Sequence, residues 1–183
     1  MDRREAIKRI SVMLGVAVSG TTAAGILSGC RPTDGALRVL TAGQHELLAV
    51  MTEHILPATD TPGARDAGVA DFIDAMLADF ATAEERTNFL GALTEVDAAA
   101  TEQFGQGFMA SSAEQQFGML DAMDEAAIAD PDAESSSFMR RLKEYTLAGY
   151  YTSEVGATQE LQVNPMGMHR GDIPYEEVGR SWA

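Results

Sequence analysis

The chain reads as all-α, an irregular bundle of about five helices followed by a long ordered C-terminal tail. Three observations predict this. Apolar residues recur at three- and four-residue intervals through most of positions 41–152. Ser or Thr followed by an acid or Gln marks three separate helix starts. No long run of alternating β-branched residues occurs, so a sheet is not expected.

Each element has its own signal. Thr41-Ala42-Gly43-Gln44 is a capping box, in which the threonine oxygen satisfies an orphan amide and the glutamine reaches back. Leu47, Leu48, Met51 and Ile55 follow at helical spacing until Pro57 stops the helix. Residues 57–68 form a loop, because Pro57, Pro62, Gly63 and Gly68 break both helix and strand. Val69, Phe72, Ile73, Met76, Leu77 and Phe80 then make the cleanest apolar stripe, with Asp71, Asp74 and Asp79 off it. Thr82-Ala83-Glu84-Glu85 starts a helix carrying Phe89, Leu93, Val96, Ala100 and Phe104, and Gly105 and Gly107 end it. Ser111-Ser112-Ala113-Glu114 starts the next, with Phe117, Leu120, Ala127 and Ile128 as its expected inner residues and Asp130-Pro131-Asp132 closing it. A last helix runs from about Glu134 to Thr152, with Phe138, Leu142, Tyr145 and Gly149 on one side.

The tail, 153–183, shows no clear period. Loops of that length are usually functional or disordered. Val155, Leu161, Val163, Ile173, Tyr175, Val178 and Trp182 make it too apolar for a free linker. It is expected to lie ordered on the helices or on a partner.

The N-terminus has a different character. Arg3 and Arg4, with Lys8 and Arg9 behind them, precede a weakly apolar stretch from Ile10 to Leu27 that Gly15, Ser19, Gly20, Thr21, Thr22 and Gly25 dilute. This resembles a twin-arginine export signal, the route that carries proteins across a membrane already folded. Ala6 departs from the pattern, which usually has a large apolar residue there. Leu27-Ser28-Gly29-Cys30 resembles a lipobox, which implies lipidation at Cys30 and a periplasmic, lipid-anchored chain. The expected parts are a signal at 1–29, a tether at 30–40 and a helical domain at 41–183.

Composition excludes several chemistries. The chain has 13 basic and 28 acidic residues. The segment 1–29 holds four and two of these, so the remainder carries 9 and 26, a net charge of −17. Such a surface repels phosphate backbones, and no nucleic-acid partner is expected. Cys30 is the single cysteine, and lipidation would consume it. That leaves no thiol for a disulfide, a thiolate zinc site, an iron–sulfur cluster or a catalytic nucleophile.

No other constellation points to catalysis. His45 and His54 are nine residues apart, on opposite sides of one helix, and do not make a metal pair. His169 lies near Met166 and Met168, but three residues in a loop do not define a copper site. Asp71, Asp74, Glu84, Glu85, Asp121, Asp124 and Glu125 read as solvated helix faces. There is no nucleophile elbow around Ser135-Ser136-Ser137 and no Gly-rich dinucleotide loop. No catalytic, cofactor-binding or metal residue is therefore assigned. Tyr150-Tyr151, at the end of the last helix, either serve an interface or pack the tail back onto the helices.

Several stretches together resemble one family. They are His54-Ile55-Leu56-Pro57-Ala58-Thr59-Asp60-Thr61-Pro62-Gly63-Ala64, then Gly68-Val69-Ala70-Asp71-Phe72-Ile73, then Gly149-Tyr150-Tyr151-Thr152-Ser153-Glu154-Val155-Gly156, and the ending Gly179-Arg180-Ser181-Trp182. They are similar to the gluconate 2-dehydrogenase subunit 3 family, and the likeness spans most of the chain after residue 37. The resemblance implies a non-catalytic small subunit of a periplasmic dehydrogenase of sugars or sugar acids. The large subunit would be a flavoprotein of the glucose-methanol-choline type holding FAD. A multihaem c-type cytochrome often takes the electrons in such complexes. The small chain would supply the signal recognised by the twin-arginine translocase. The matching stretches give Tyr150, Tyr151, Glu154, Arg180 and Trp182 as interface residues. The alternative from another class is a free-standing periplasmic lipoprotein, a binding module or sugar-modifying enzyme with Glu154, His169 and the tail acids Glu160, Glu176 and Glu177 as its site.

Overall fold

The computed structural model describes residues 36–130 and 134–161, with the single positions 174, 176 and 179. The unit that holds the helices begins at Leu37. Among the described residues there is no strand. Five α-helices follow in order: α1 Ala42–Ile55, α2 Val69–Asp79, α3 Ala83–Phe104, α4 Ala113–Ala129 and α5 Glu134–Thr152. A 3-10 turn, Phe108–Ala110, joins α3 to α4, and one π turn, Gly156–Glu160, follows α5. The all-α expectation holds.

The caps form as their chemistry requires. Thr41 and Thr82 each accept from the amide three residues on, and Gln44 and Glu85 return the bond to the cap backbone. Gly105 ends α3 with φ 74°, a left-handed turn that favours glycine. The start of α4 lies one residue later than Ser111. Ser112 is its cap and Gln115 closes the box, while Ser111 is buried and donates to the Gly107 carbonyl at 3.1 Å.

α5 is the hub, packed against each of the other four helices. Leu48 and Met51 of α1, Ile73 and Leu77 of α2, Leu93 of α3 and Leu142 of α5 are fully buried, with Phe108 of the 3-10 turn. Phe89, Phe138 and Tyr145 stack between α3 and α5, with ring centroids 5.1 and 6.2 Å from Phe89. α2 crosses α5 at Gly149, where an added Cβ would stand 2.8 Å from the Phe72 ring. The crossing needs the missing side chain.

Three expectations fail here, each for a physical reason: the inner face of α4, the placing of Asp74 with residues 38–40, and Phe80, which leaves the α2 stripe and is exposed because the helix ends at Asp79. Phe117 and Ile128 are exposed rather than inner. α4 instead turns Gln116, Met119 and Leu120 inward, with Met123 and Ala127 packed behind them. The helix carries apolar residues on both sides, so spacing alone did not fix its register. The choice is made by Gln116, whose amide donates to the Phe108 carbonyl at 2.8 Å and whose oxygen meets His54 Nε2 at 3.0 Å.

Asp74 is the second. It is not on a solvated face but only 4% exposed. Its carboxylate accepts the backbone amides of Arg38 (2.7 Å), Val39 (2.9 Å) and Leu40 (2.8 Å). Arg38 also reaches Asp79 with its guanidinium, at 2.6 Å for one bond. Residues 38–40, placed above in a tether, are thus docked on α2, and Leu40 is buried. Burial pushes the Asp74 carboxyl up. The amides of Leu40, Arg38 and Val39, with the Arg38 charge behind them, outweigh it and hold the group below the ordinary aspartate value.

Candidate partner surface

Two of the stretches singled out in the sequence, ninety residues apart, meet in space. The loop 57–68 leaves the end of α1 and turns back into α2. Glu53 of α1 holds it from below: one carboxylate oxygen accepts the Ala58 amide and the other the Arg65 amide, each at 2.9 Å. Gly63 lies directly on that carboxylate, and a Cβ there would stand 2.6 Å from the Ala58 nitrogen. The Ala64 amide donates to the Leu56 carbonyl at 2.9 Å, and Ala64 is fully buried. Arg65 pairs with Glu46. The loop is fixed at both ends and in the middle.

The end of α5 closes over it. Tyr150 is 4% exposed and donates its hydroxyl to the Pro62 carbonyl at 2.8 Å. Thr61 donates its hydroxyl to Glu160 of the π turn at 3.0 Å. Ser153 bridges the last turn of α5 into that π turn, donating to the Tyr150 carbonyl at 2.6 Å and accepting the Gly156 amide at 3.0 Å. Gly156 sits against Tyr150: a Cβ would lie 2.7 Å from the Tyr150 carbonyl carbon and 3.0 Å from Tyr151 Cα. Tyr151 stands edge-on to Tyr150, centroids 5.3 Å apart at 89°.

This construction leaves a rim of exposed groups. Pro57, Ala58, Thr59 and Asp60 are exposed on the loop, and Tyr151, Thr152 and Glu154 on the helix end. Tyr151 is held in place by its buried neighbour, which is the arrangement of an anchor residue. Of the expected interface residues, Tyr151 and Glu154 thus face outward. Tyr150 faces inward and works by fixing the loop. Arg180 and Trp182 lie outside the described residues, as do Arg3, Arg4, Cys30 and His169. Glu53 carries no signal in the sequence, Asp74 reads there as part of a solvated face, and Ser153 stands only as one position of the stretch 149–156. Nothing in their spacing distinguishes them from surface polar residues, because their partners are backbone amides and carbonyls.

Replacing Tyr150 with phenylalanine keeps the ring and orphans the Pro62 carbonyl. The expected loss is about 1 kcal/mol in urea unfolding, with the same slope.

Among the described residues, reactive groups do not converge on this surface. Among the described residues no three of His, Cys, Asp and Glu gather where they could hold a metal ion. His45 meets Asp71 at 2.9 Å and His54 meets Gln116, each a local polar contact. No helix among the described residues is long and apolar enough to cross a membrane. The polar network at this end of the helices serves to fix an exposed loop.

The comparison with known families is specific. The chain matches the family described as gluconate 2-dehydrogenase subunit 3 over residues 42–171, and it belongs to that family. The coarse role that membership carries is that of an auxiliary subunit of a dehydrogenase complex. No curated protein and no solved structure matches the chain. The match takes in both the loop 57–68 and the stretch 149–156, which meet in space.

Proposed function

We propose that the chain is the non-catalytic small subunit of a periplasmic, FAD-dependent dehydrogenase of sugars or sugar acids. Its partner is a flavoprotein of the glucose-methanol-choline type, which holds the FAD and does the redox chemistry, with a c-type cytochrome as a further partner. The small subunit grips the flavoprotein through the rim formed by residues 57–60 and 151–154. Its Arg3-Arg4 signal takes the folded pair across the membrane through the twin-arginine translocase, and Cys30 then anchors it by lipid.

One observation carries this reading. The two separated family stretches are joined by Tyr150–Pro62 and Thr61–Glu160 into a single rigid rim. A rim fixed before binding loses little conformational entropy on association. A partner that binds only the native flavoprotein also stabilises it by mass action. Flavin insertion takes place in the cytoplasm, which makes a route for folded cargo the fitting one.

Co-expression with the flavoprotein is expected to give a stable complex with flavin absorbance. Changing Arg3 and Arg4 together to lysine is expected to leave both subunits in the cytoplasm, with periplasmic dehydrogenase activity down at least tenfold. A flavoprotein that still reaches the periplasm ends the carrier role. Purified chain that turns over sugars without flavin or partner supports the free-standing lipoprotein instead.

A further inference from the structure

The rim at the loop and the end of α5 is too small to hold a partner by itself. Its exposed residues are 57–60 with 151, 152 and 154. A stable contact between subunits takes about 20–30 residues and about 800 Å² from each side. A larger dehydrogenase subunit, which membership of the family implies, therefore covers more of this chain than the rim.

The neighbouring side chains decide where. Past Ala64 the loop is charged: Arg65 and Asp66 are exposed, and Arg65 pairs with Glu46. Interface centres are depleted in such groups. Along α5 the surface is apolar instead. Leu147, 43% exposed, stands one turn before Tyr151 on the same face of the helix. Phe117 of α4, 55% exposed, joins them by two links. Its ring lies 6.4 Å from that of His54, three residues before Pro57. The Asp124–Lys143 pair, at 2.8 Å, ties the outer flanks of α4 and α5 together. Phe117 is seven residues from Asp124 and Leu147 four from Lys143, and both steps return to the same helix face. Gln116 meets His54 and Tyr150 meets Pro62, so the start of α4 and the end of α5 both lie at the end of α1 that carries the rim. Three of the six exposed large apolar side chains among the described residues thus share one surface with it. Exposed acids border that surface: Asp60 and Glu154 on the rim, and Asp121 one turn beyond Phe117.

We propose that the footprint of the flavoprotein runs from the rim across α5 onto α4, with Leu147 at its centre between Tyr151 and Phe117. This rests on the partnership proposed above. The flavoprotein meets it with an apolar patch bordered by basic groups, which face Asp60, Asp121 and Glu154. The apolar centre excludes water, and the prefixed loop sets the register.

The test uses the full chain co-expressed with the flavoprotein and recovered through a tag on the small chain. A photoreactive benzoylphenylalanine replaces Leu147 in one variant and Phe80 in another. Phe80 is 76% exposed but follows the last residue of α2, at the end away from the loop. Irradiation is expected to join position 147 to the flavin-bearing chain, at least fivefold more than position 80. Leu147→Ser and Phe117→Ser are each expected to weaken the complex at least tenfold with helix content unchanged, and Phe80→Ser less than about twofold. Serine variants at 117 and 147 that bind like wild type overturn the proposal. So does a loss as large in Phe80→Ser, or a cross-link from 147 to a second copy of this chain, which makes the surface a self-interface. The recovery of flavin separates the two readings. A complex that forms without a cross-link at 147 sinks the extended footprint alone; a wild-type chain that recovers no flavoprotein sinks the footprint together with the partnership.

Discussion

Replacing Asp74 with alanine is expected to destabilise the domain by about 2–4 kcal/mol, as much as truncating a buried apolar side chain of α2. Three backbone amides lose a charged acceptor at once. They have no other acceptor unless residues 38–40 leave α2, and leaving exposes Leu40, now 5% exposed. Undocking limits the damage, which is why the estimate stays below the sum of three charged hydrogen bonds. Asp74→Asn is gentler. Oδ1 holds the Val39 and Leu40 amides and can be matched by the asparagine oxygen, whereas the Arg38 amide then faces a donor. Arg38→Ala costs at most about 1 kcal/mol, because its pair with Asp79 is solvent-exposed. Urea unfolding of the three variants orders them Asp74→Ala, Asp74→Asn, Arg38→Ala.

The same group sets a pH dependence. Its folded value lies below the ordinary aspartate value, so the unfolded chain binds more protons as the pH falls. The stabilisation is complete above the unfolded value, about 3.9, and is lost as the pH falls through the lower folded value. Wild type and Asp74→Asn therefore converge in stability under acid and differ most near neutrality. A gap between them that widens on acidification would contradict the assignment.

Why Asp74 escaped a reading by sequence is instructive. The stripe Val69, Ile73, Leu77 was legible, and all three are buried. Asp74 adjoins that stripe, and what buries it is not helix partners but the incoming strand of chain at 38–40, which has no period of its own. The bundle itself was legible for the opposite reason. Its three helix starts each pair side chains three residues apart, two of them as expected and the third at Ser112–Gln115, and α5 carries Phe138, Leu142, Tyr145 and Gly149 on one face. Such local signals survive any tertiary context. α4 shows the limit: with Phe117 and Ile128 on one side and Met119 and Met123 on the other, the decision fell to the long-range pair Gln116–His54. The candidate surface was half legible. The sequence stretches that form it stood out, but not that Tyr150 would turn inward to fix the loop while Tyr151 remained outside.

Gly156→Ala is expected to damage that surface more than any change to its exposed residues. The added methyl would press into the Tyr150 carbonyl and lie 2.7 Å from its carbon and 3.0 Å from Tyr151 Cα. All of these are backbone atoms, so no rotamer change relieves the clash, and the π turn must move away from the end of α5. Glu160 moves with it and releases Thr61; the Ser153 bridge opens, and Tyr151 loses its fixed backing. The local cost is about 2–3 kcal/mol. The helices beneath depend little on this segment, so global unfolding shifts by less than that. Hydrogen exchange is the sensitive readout: the amides of Ala157 and Leu161, bonded to the Ser153 and Gly156 carbonyls at 2.9 Å, are expected to lose protection while those of α2 keep theirs. If the rim is what the flavoprotein grips, the same variant weakens the complex at least tenfold. Tyr150→Phe, which spares the backbone, weakens it less. A variant with an unlocked π turn and undiminished flavoprotein binding would place the grip elsewhere on the chain.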